Sequence, residues 1–226
     1  MTVQINYKKN LSKKNISNLV LFAGEKFEIS SLKKQILSSE YSFISDLLKT
    51  TDLKKKIVTF DISSKKKIIL ISIQKNIKSF DVENLGGKFY NVLKGLKLNE
   101  YNLNSDSAPN IIENLVGHFL HGLMLKSYNF EKYKTKKSKK NIKIFVIGKN
   151  KPNFKEQIKF KAIEEGSFYA RDLVSEPGNV LHPDEYANRI KTLKKHGLKI
   201  TVYDEKKLKK LGMNTLLGVG QGSIRG

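Results

Sequence analysis

The sequence predicts an α/β protein. Three observations carry that expectation. Short apolar runs alternate with stretches of helical periodicity, two of those runs are joined by a tight polar turn, and glycine or proline punctuates most junctions. The pattern is interrupted at Gly148-Lys-Asn-Lys-Pro-Asn153. The expected layout is an N-terminal domain over residues 1–150 and a second region, residues 151–226, that opens with a long helix.

Asn18-Leu-Val-Leu-Phe22, followed by Gly24, reads as a buried strand. From Ser30, a possible N-cap, the spacing of Leu32, Ile36 and Leu37 suits a helix. Lys56-Ile-Val-Thr-Phe60 and Lys67-Ile-Ile-Leu-Ile-Ser-Ile73 read as two strands joined by the turn Ser63-Ser64-Lys65. Val82, Leu85, Phe89, Val92, Leu93 and Leu96 fall at helical spacing, and Gly86-Gly87 among them implies close packing against a sheet. Tyr101-Asn-Leu103 is a further strand. Pro109 opens a helix whose apolar stripe runs from Ile112 through Leu115, Val116, Phe119, Leu120 and Leu123 to Met124. Tyr133 to Lys140 is a basic turn, and Asn141 to Ile147 another strand. Beyond it come a helix from Phe154 to Val174, one from Asp184 to His196, a strand from Leu198 to Tyr203, a short helix from Glu205 to Leu211 and a glycine-rich tail.

The bulk properties narrow the classes. With 226 residues and 39% hydrophobic residues the chain can bury a core of one large or two ordinary domains. There is no cysteine, hence neither a disulfide framework nor a thiolate metal site. The start, Met1-Thr-Val-Gln-Ile-Asn-Tyr-Lys-Lys, lacks the pattern of a secretory signal, and the longest apolar run, Ile68 to Ile73, is far too short to cross a bilayer. A cytoplasmic protein without a membrane partner is expected, in which the sequons at Asn10 and Asn15 carry no meaning. The net charge of +22 raises the question of nucleic acid. All but three of the 43 basic residues are lysine, the exceptions being Arg171, Arg189 and Arg225. Bidentate reading of phosphate and guanine leans on arginine, so the charge supports only weak, non-specific and salt-sensitive attraction to nucleic acid.

No complete catalytic constellation is visible. His118 and His121 share one face of the Pro109 helix, but Glu113 lies off that face and a metal needs at least a third ligand, so helix–sheet packing or a wet helix flank accounts for them better. The tail from Gly218 misses the dinucleotide fingerprint, because the third glycine position counted from Gly220 is Arg225; its glycines are expected to let two backbones pass closely. Asp184 and Glu185 suit the first turn of a helix, where the macrodipole and free amides favour carboxylates. His182 and His196 have no nucleophile or carboxylate at motif spacing. Catalytic, metal-binding and substrate-binding residues are therefore all assigned as none.

One stretch is recognisable. Ala170-Arg-Asp-Leu-Val-Ser-Glu-Pro-Gly-Asn-Val-Leu-His-Pro183 closely resembles the R-D-L-x-N-E-P-x-N-x-x-x-P segment of the leucyl (cytosol) aminopeptidases, peptidase family M17. Tyr128-Asn-Phe-Glu-Lys-Tyr-Lys-Thr135 resembles the family's Y-x-F-x-x-Y-K-T, and Gly212-Met-Asn-Thr-Leu-Leu-Gly-Val-Gly-Gln-Gly-Ser223 its G-M-G-x-L-L-x-V-G-x-G-S. The three occur in the same order. Ser175 stands where Asn is usual, and Asn214 where Gly is usual.

The resemblance implies a macro-like α/β/α domain, a linker helix and the incomplete start of an α/β catalytic domain. In the full-length enzyme it implies two divalent metal ions (Mn, Zn or Mg), which activate a water to release N-terminal residues from peptides with a free N-terminus, in a cytoplasmic homo-hexamer. The family's metal-binding motifs follow the last segment matched, so an N-terminal fragment is expected, inactive and binding no metal by itself. Arg171 and Glu176 match the motif without a metal-ligand role, and Pro177 and Asn179 are expected to turn the chain from linker helix into catalytic domain. The alternatives are a macro-like ligand-binding module, which needs a glycine-rich phosphate loop in the first 150 residues, and a nucleic-acid-binding protein.

Overall fold

The computed structural model describes residues 2–8, 18–64, 66–136 and 140–222. Both sequons, Lys65, residues 137–139 of the basic turn, and residues 223–226 with Arg225 lie outside the described residues. The chain divides into two compact units, Met1–Phe168 and Tyr169–Gly226.

The strands are β1 (Thr2–Tyr7), β2 (Asn18–Ala23), β3 (Ile57–Ser63), β4 (Lys66–Ser72), β5 (Glu100–Asn104) and β6 (Asn141–Ile147). The longer helices of the first unit are α1 (Ser38–Leu48), α2 (Ser79–Gly95) and α3 (Leu115–Ser127). The strands form one sheet in the order β1-β6-β5-β2-β4-β3. Only the β3–β4 hairpin is antiparallel; every other pairing is parallel. The α/β class is therefore what the alternation of elements implied.

β2 lies in the middle of the sheet and is buried along its whole length. Its side chains divide between two cores, as a strand with period two must when both faces are covered. Val20 and Phe22 join Ile69, Ile71, Ile142 and Ile144 on the face covered by α2 and α3. Leu19 and Leu21 join Ile68 and Leu70 on the other face, against Phe27, Leu32 and Ile44. At the head of β2, buried Asn18 donates to the Glu100 carbonyl at 3.0 Å and accepts from the Lys67 amide at 3.2 Å, tying β2 to both neighbours.

Several elements depart from the sequence expectation. The segment from Ser30 forms only a 3-10 turn to Lys34, and α1 begins at Ser38, beyond the predicted stretch. Gln35 is held near the sheet instead, accepting from the Asn104 amide at 3.1 Å. β1 was not predicted at all: as an edge strand it buries only Val3 fully, so its apolar signal is thin. The helix expected from Pro109 starts at Leu115, because Asn114 takes a left-handed conformation (φ 56°) just ahead of it. Gly86-Gly87 pack against a helix, α3, rather than a sheet.

In the second unit, α4 (Phe154–Ser175) enters from the first and is followed by α5 (Pro183–Lys191), α6 (Glu205–Lys210) and α7 (Asn214–Gly220). The helix expected to reach His196 ends at Lys191 and continues as a 3-10 turn, Thr192–His196. The predicted strand Leu198–Tyr203 has no regular structure, and the glycine-rich tail winds into α7. Gly218 and Gly222 approach no other backbone: a β-carbon on either would meet nothing within 4 Å.

Candidate functional site

The recognised motif folds into an ion-paired joint. α4 runs through Arg171 and Asp172 to Ser175, and Glu176 still donates its amide to the Asp172 carbonyl at 3.0 Å. Pro177 has no amide to continue the helix, and the amides of Val180 and Leu181 both close back on its carbonyl at 2.9 Å. A new helix then starts at Pro183, a favoured first position.

Glu176 holds this turn. Its side chain is 1% exposed, and its carboxylate accepts from Arg189 Nη1 at 2.9 Å. Arg189 Nε donates to Glu185 at 2.8 Å, so one guanidinium joins the turn to the first turn of α5. Both carboxylates hold the Arg189 proton above its usual range. Glu185, expected from the sequence to answer the helix dipole, has this ion pair as well. Asp184 pairs with His182, and that hydrogen bond holds its carboxyl below the usual range. Arg171 and His196 are exposed.

His118 and His121 lie between helices of the first unit. His118 Nδ1 meets Glu83 Oε1 of α2 at 2.7 Å, and His121 Nδ1 meets Glu164 Oε1 of α4 at 3.1 Å. The Phe160 ring sits between the two imidazoles, at 5.3 and 5.2 Å between centroids. Both thus meet neighbouring helices, not the sheet or the wet flank that their spacing suggested, and Glu113 is exposed. Sequence reasoning missed Glu83 and Glu164, because partners 35 and 43 residues away leave no local pattern.

The carboxyl ends of β2, β5 and β6 are where an open α/β sheet offers a ligand crevice. Here the chain's own polar groups occupy that edge. Ser107 Oγ accepts from the Phe22 amide at 2.9 Å, and Ser105 Oγ donates to the Ile147 carbonyl at 2.8 Å. Asp106 accepts from the amides of Lys149 at 2.6 Å and Asn150 at 3.1 Å, the pair that a phosphate would otherwise take. Gly148 precedes them at φ 102°, and a β-carbon there would lie 2.6 Å from Ser105 Oγ.

Among the described residues no group of three or more His, Asp or Glu could hold a metal ion. Each histidine of the His118–His121 pair is engaged by its own glutamate, and His182 with Asp184 offers only two donors. The described residues do not fit a metal centre, and no chemical step is assigned to one. Among the described residues no helix is long and apolar enough to cross a membrane.

Comparison with known proteins agrees with the motif. Residues 168–226 match the model of the cytosol aminopeptidase family, catalytic domain. A protein of Chelativorans sp. (strain BNC1) named "probable cytosol aminopeptidase" is 44% identical over 110 residues, 46% of this chain and 22% of that protein. One of the same name from Phytoplasma mali is 44% identical over 115 residues, 48% of this chain and 23% of that protein. The matched stretch thus spans about a fifth of the length of the curated relatives. Among solved structures, a mutant of tomato leucine aminopeptidase superposes with a TM-score of 0.72 at 14% identity, over 93% of this chain and 46% of that one. The bottromycin maturation enzyme BotP in complex with Mn superposes with a TM-score of 0.67 at 15% identity, over 93% and 43%. These superpositions speak to the fold, while the family model and the curated relatives speak to descent. Residues 168–226 thus carry the pattern of the cytosol aminopeptidase family's catalytic domain, and about half of the chain is similar to proteins of that name.

Proposed function

We propose that this chain is the N-terminal part of a leucyl aminopeptidase whose activity resides in the whole protein. That activity is the release of N-terminal amino acids from peptides with a free N-terminus, in the cytoplasm, with two divalent metal ions (Mn, Zn or Mg) in a homo-hexameric enzyme. The observation that carries the reading is the catalytic-domain match over residues 168–226, where the Glu176–Arg189 joint sets the path of the chain into α5. The division of labour is residues 1–150 as a macro-like domain and residues 151–226 as linker helix and first portion of the catalytic domain. In this reading no metal-binding or catalytic role is assigned among the described residues.

The test is hydrolysis of leucyl-p-nitroanilide with Mn or Zn added. The purified chain should show no turnover above buffer, whereas its fusion to the remaining part of a curated relative's catalytic domain should show metal-dependent turnover. Turnover by the pure chain, or none by a well-folded fusion, sinks the reading. Among the described residues, Asp106 takes the Lys149 and Asn150 amides at the carboxyl edge of the sheet, which counts against a macro-like ligand module there. The +22 charge supports no more than a diffuse attraction to nucleic acid, lost near physiological salt.

A further inference from the structure

β3 closes one side of the sheet in the first unit, and no strand pairs with its outer edge. Ser72 donates its amide to the Lys56 carbonyl at 2.9 Å, which sets the alternation along the antiparallel pair: Lys56, Val58 and Phe60 are the bonded positions. The amides and carbonyls of Ile57 and Thr59 therefore point away from β4, and among the described residues no partner meets them on that side. An edge of this kind is commonly blunted by proline, by a charged side chain on the strand or by a bulge. From Ile57 to Phe60 β3 has none of these. Its register shifts only past Asp61, and the Asp61 charge is taken by Lys67. Cations bracket the strand instead, and the two ends differ. At the far end Lys66 and Lys67 are paired with Glu40 and Asp61. Ahead of the strand Lys54, Lys55 and Lys56 have no carboxylate partner among the described residues, and the nearby Asp52 accepts the Lys54 amide at 3.0 Å.

We infer that the outer edge of β3 is a docking site for an extended acidic peptide, which adds antiparallel to the strand and sets its C-terminal carboxylates beside Lys54, Lys55 and Lys56. Strand addition supplies main-chain hydrogen bonds at Ile57 and Thr59. Charge decides the occupant. The unpaired cations lie at the start of β3, which is where an antiparallel partner places its C-terminal end. A second copy of this chain fits poorly. Antiparallel pairing of β3 with itself brings Lys54, Lys55 and Lys56 of one chain towards Lys66 and Lys67 of the other, in a molecule of net charge +22. The inference is independent of the aminopeptidase reading.

The experiment titrates the full chain into a fluorescein-labelled peptide, Thr-Val-Thr-Val-Thr-Glu-Asp-Glu, at about 150 mM salt, where diffuse attraction between exposed charges is largely screened. Saturable one-to-one binding by anisotropy, with amide exchange at Ile57 and Thr59 slowed about tenfold or more, is the expected result. A peptide of equal charge with proline at alternate positions cannot pair and should not bind. Thr59→Pro removes one outward amide donor at a position where an edge strand tolerates proline. Lys54→Glu with Lys55→Glu reverses two exposed cations outside the strand, so it tests the site even if Thr59→Pro lowers stability. Each variant should weaken binding about tenfold or more. The inference is overturned if the proline peptide binds as well, if the lysine reversals leave the affinity unchanged, or if the chain alone is a dimer that protects Ile57 and Thr59. It is overturned too if fusion to the remaining part of a relative's catalytic domain abolishes binding, because the enzyme's own chain then covers β3. None of these readouts is turnover, so their failure is distinct from failure of the aminopeptidase reading.

Discussion

A β-carbon on Gly86 of α2 would lie 2.0 Å from the carbonyl oxygen of Phe119 on α3. The contact is reciprocal, since a β-carbon on Gly122 of α3 would lie 1.9 Å from the Glu83 carbonyl oxygen. The two helices meet backbone to backbone, and the neighbours that would have to yield are main-chain atoms.

Gly86→Ala and Gly122→Ala should therefore each destabilise by about 2–4 kcal/mol. Alanine's better helix propensity offers only about 1 kcal/mol against an overpacking cost that a rigid backbone cannot relieve. Gly87→Ala is the control. Its β-carbon would meet Lys126 at 3.6 Å, an ordinary contact, so the propensity gain of about 0.5–1 kcal/mol should survive. Urea unfolding midpoints of the three variants check the ordering, and equal effects at Gly86 and Gly87 would refute it.

The Phe160 ring of α4 packs on α3. It lies between His118 and His121 and close to Gly117, where a β-carbon would approach its Cε2 to 2.6 Å. Phe160→Ala should cost about 1–3 kcal/mol, below the range for a fully buried ring because this one is half-buried. Amide exchange should rise over residues 156–168 while β2 and β4 stay protected. Uniform loss of protection through the sheet would contradict a local role.

What the sequence revealed tracks how local each cause is. β2 and β4 are apolar runs because both their faces are covered, and the turn after Ser63 joins β3 to β4, so these elements were legible. β1 was not, because Thr2, Gln4 and Asn6 are exposed and its place depends on pairing with β6, about 139 residues away in the chain. Leu198–Tyr203 reads as a strand and is unpaired, since propensity specifies a conformation without supplying a neighbour. At the motif, Glu176 and Pro177 were visible as a turn. The grip of Arg189 on Glu176 was not, because its 13-residue span belongs to no periodic pattern.

That grip predicts a local effect. Glu176→Gln leaves the guanidinium a neutral acceptor, and Arg189→Lys keeps the charge but cannot serve two carboxylates with one planar fork. Both variants should be cut faster by protease at the turn 176–182, and lysine should not rescue. The β2 and β4 amides should exchange at the parent rate in each. A variant with unchanged cleavage would show that the pair does not hold the joint.

Tyr101 gives the alkaline limit of stability. Its ring is fully buried in the core between the sheet and the helices α2 and α3, its hydroxyl donates to the Leu98 carbonyl at 3.2 Å, and burial pushes its pKa up to about 12. Tyr7 is also pushed up to about 12, by burial first and then by the Glu164 charge. An unfolded tyrosine ionises near 10, so between about pH 10 and pH 12 the unfolded chain releases protons that the folded chain keeps. The folded state then binds more protons than the unfolded state, and stability must fall as pH rises through that window. Tyr101→Phe should make the fall shallower while costing about 0.5–1.5 kcal/mol at pH 8 for the lost hydrogen bond. Urea denaturation at intervals from pH 8 to pH 11.5 checks both parts. A parent-like slope in the Phe variant would mean that the Tyr101 hydroxyl ionises as readily folded as unfolded.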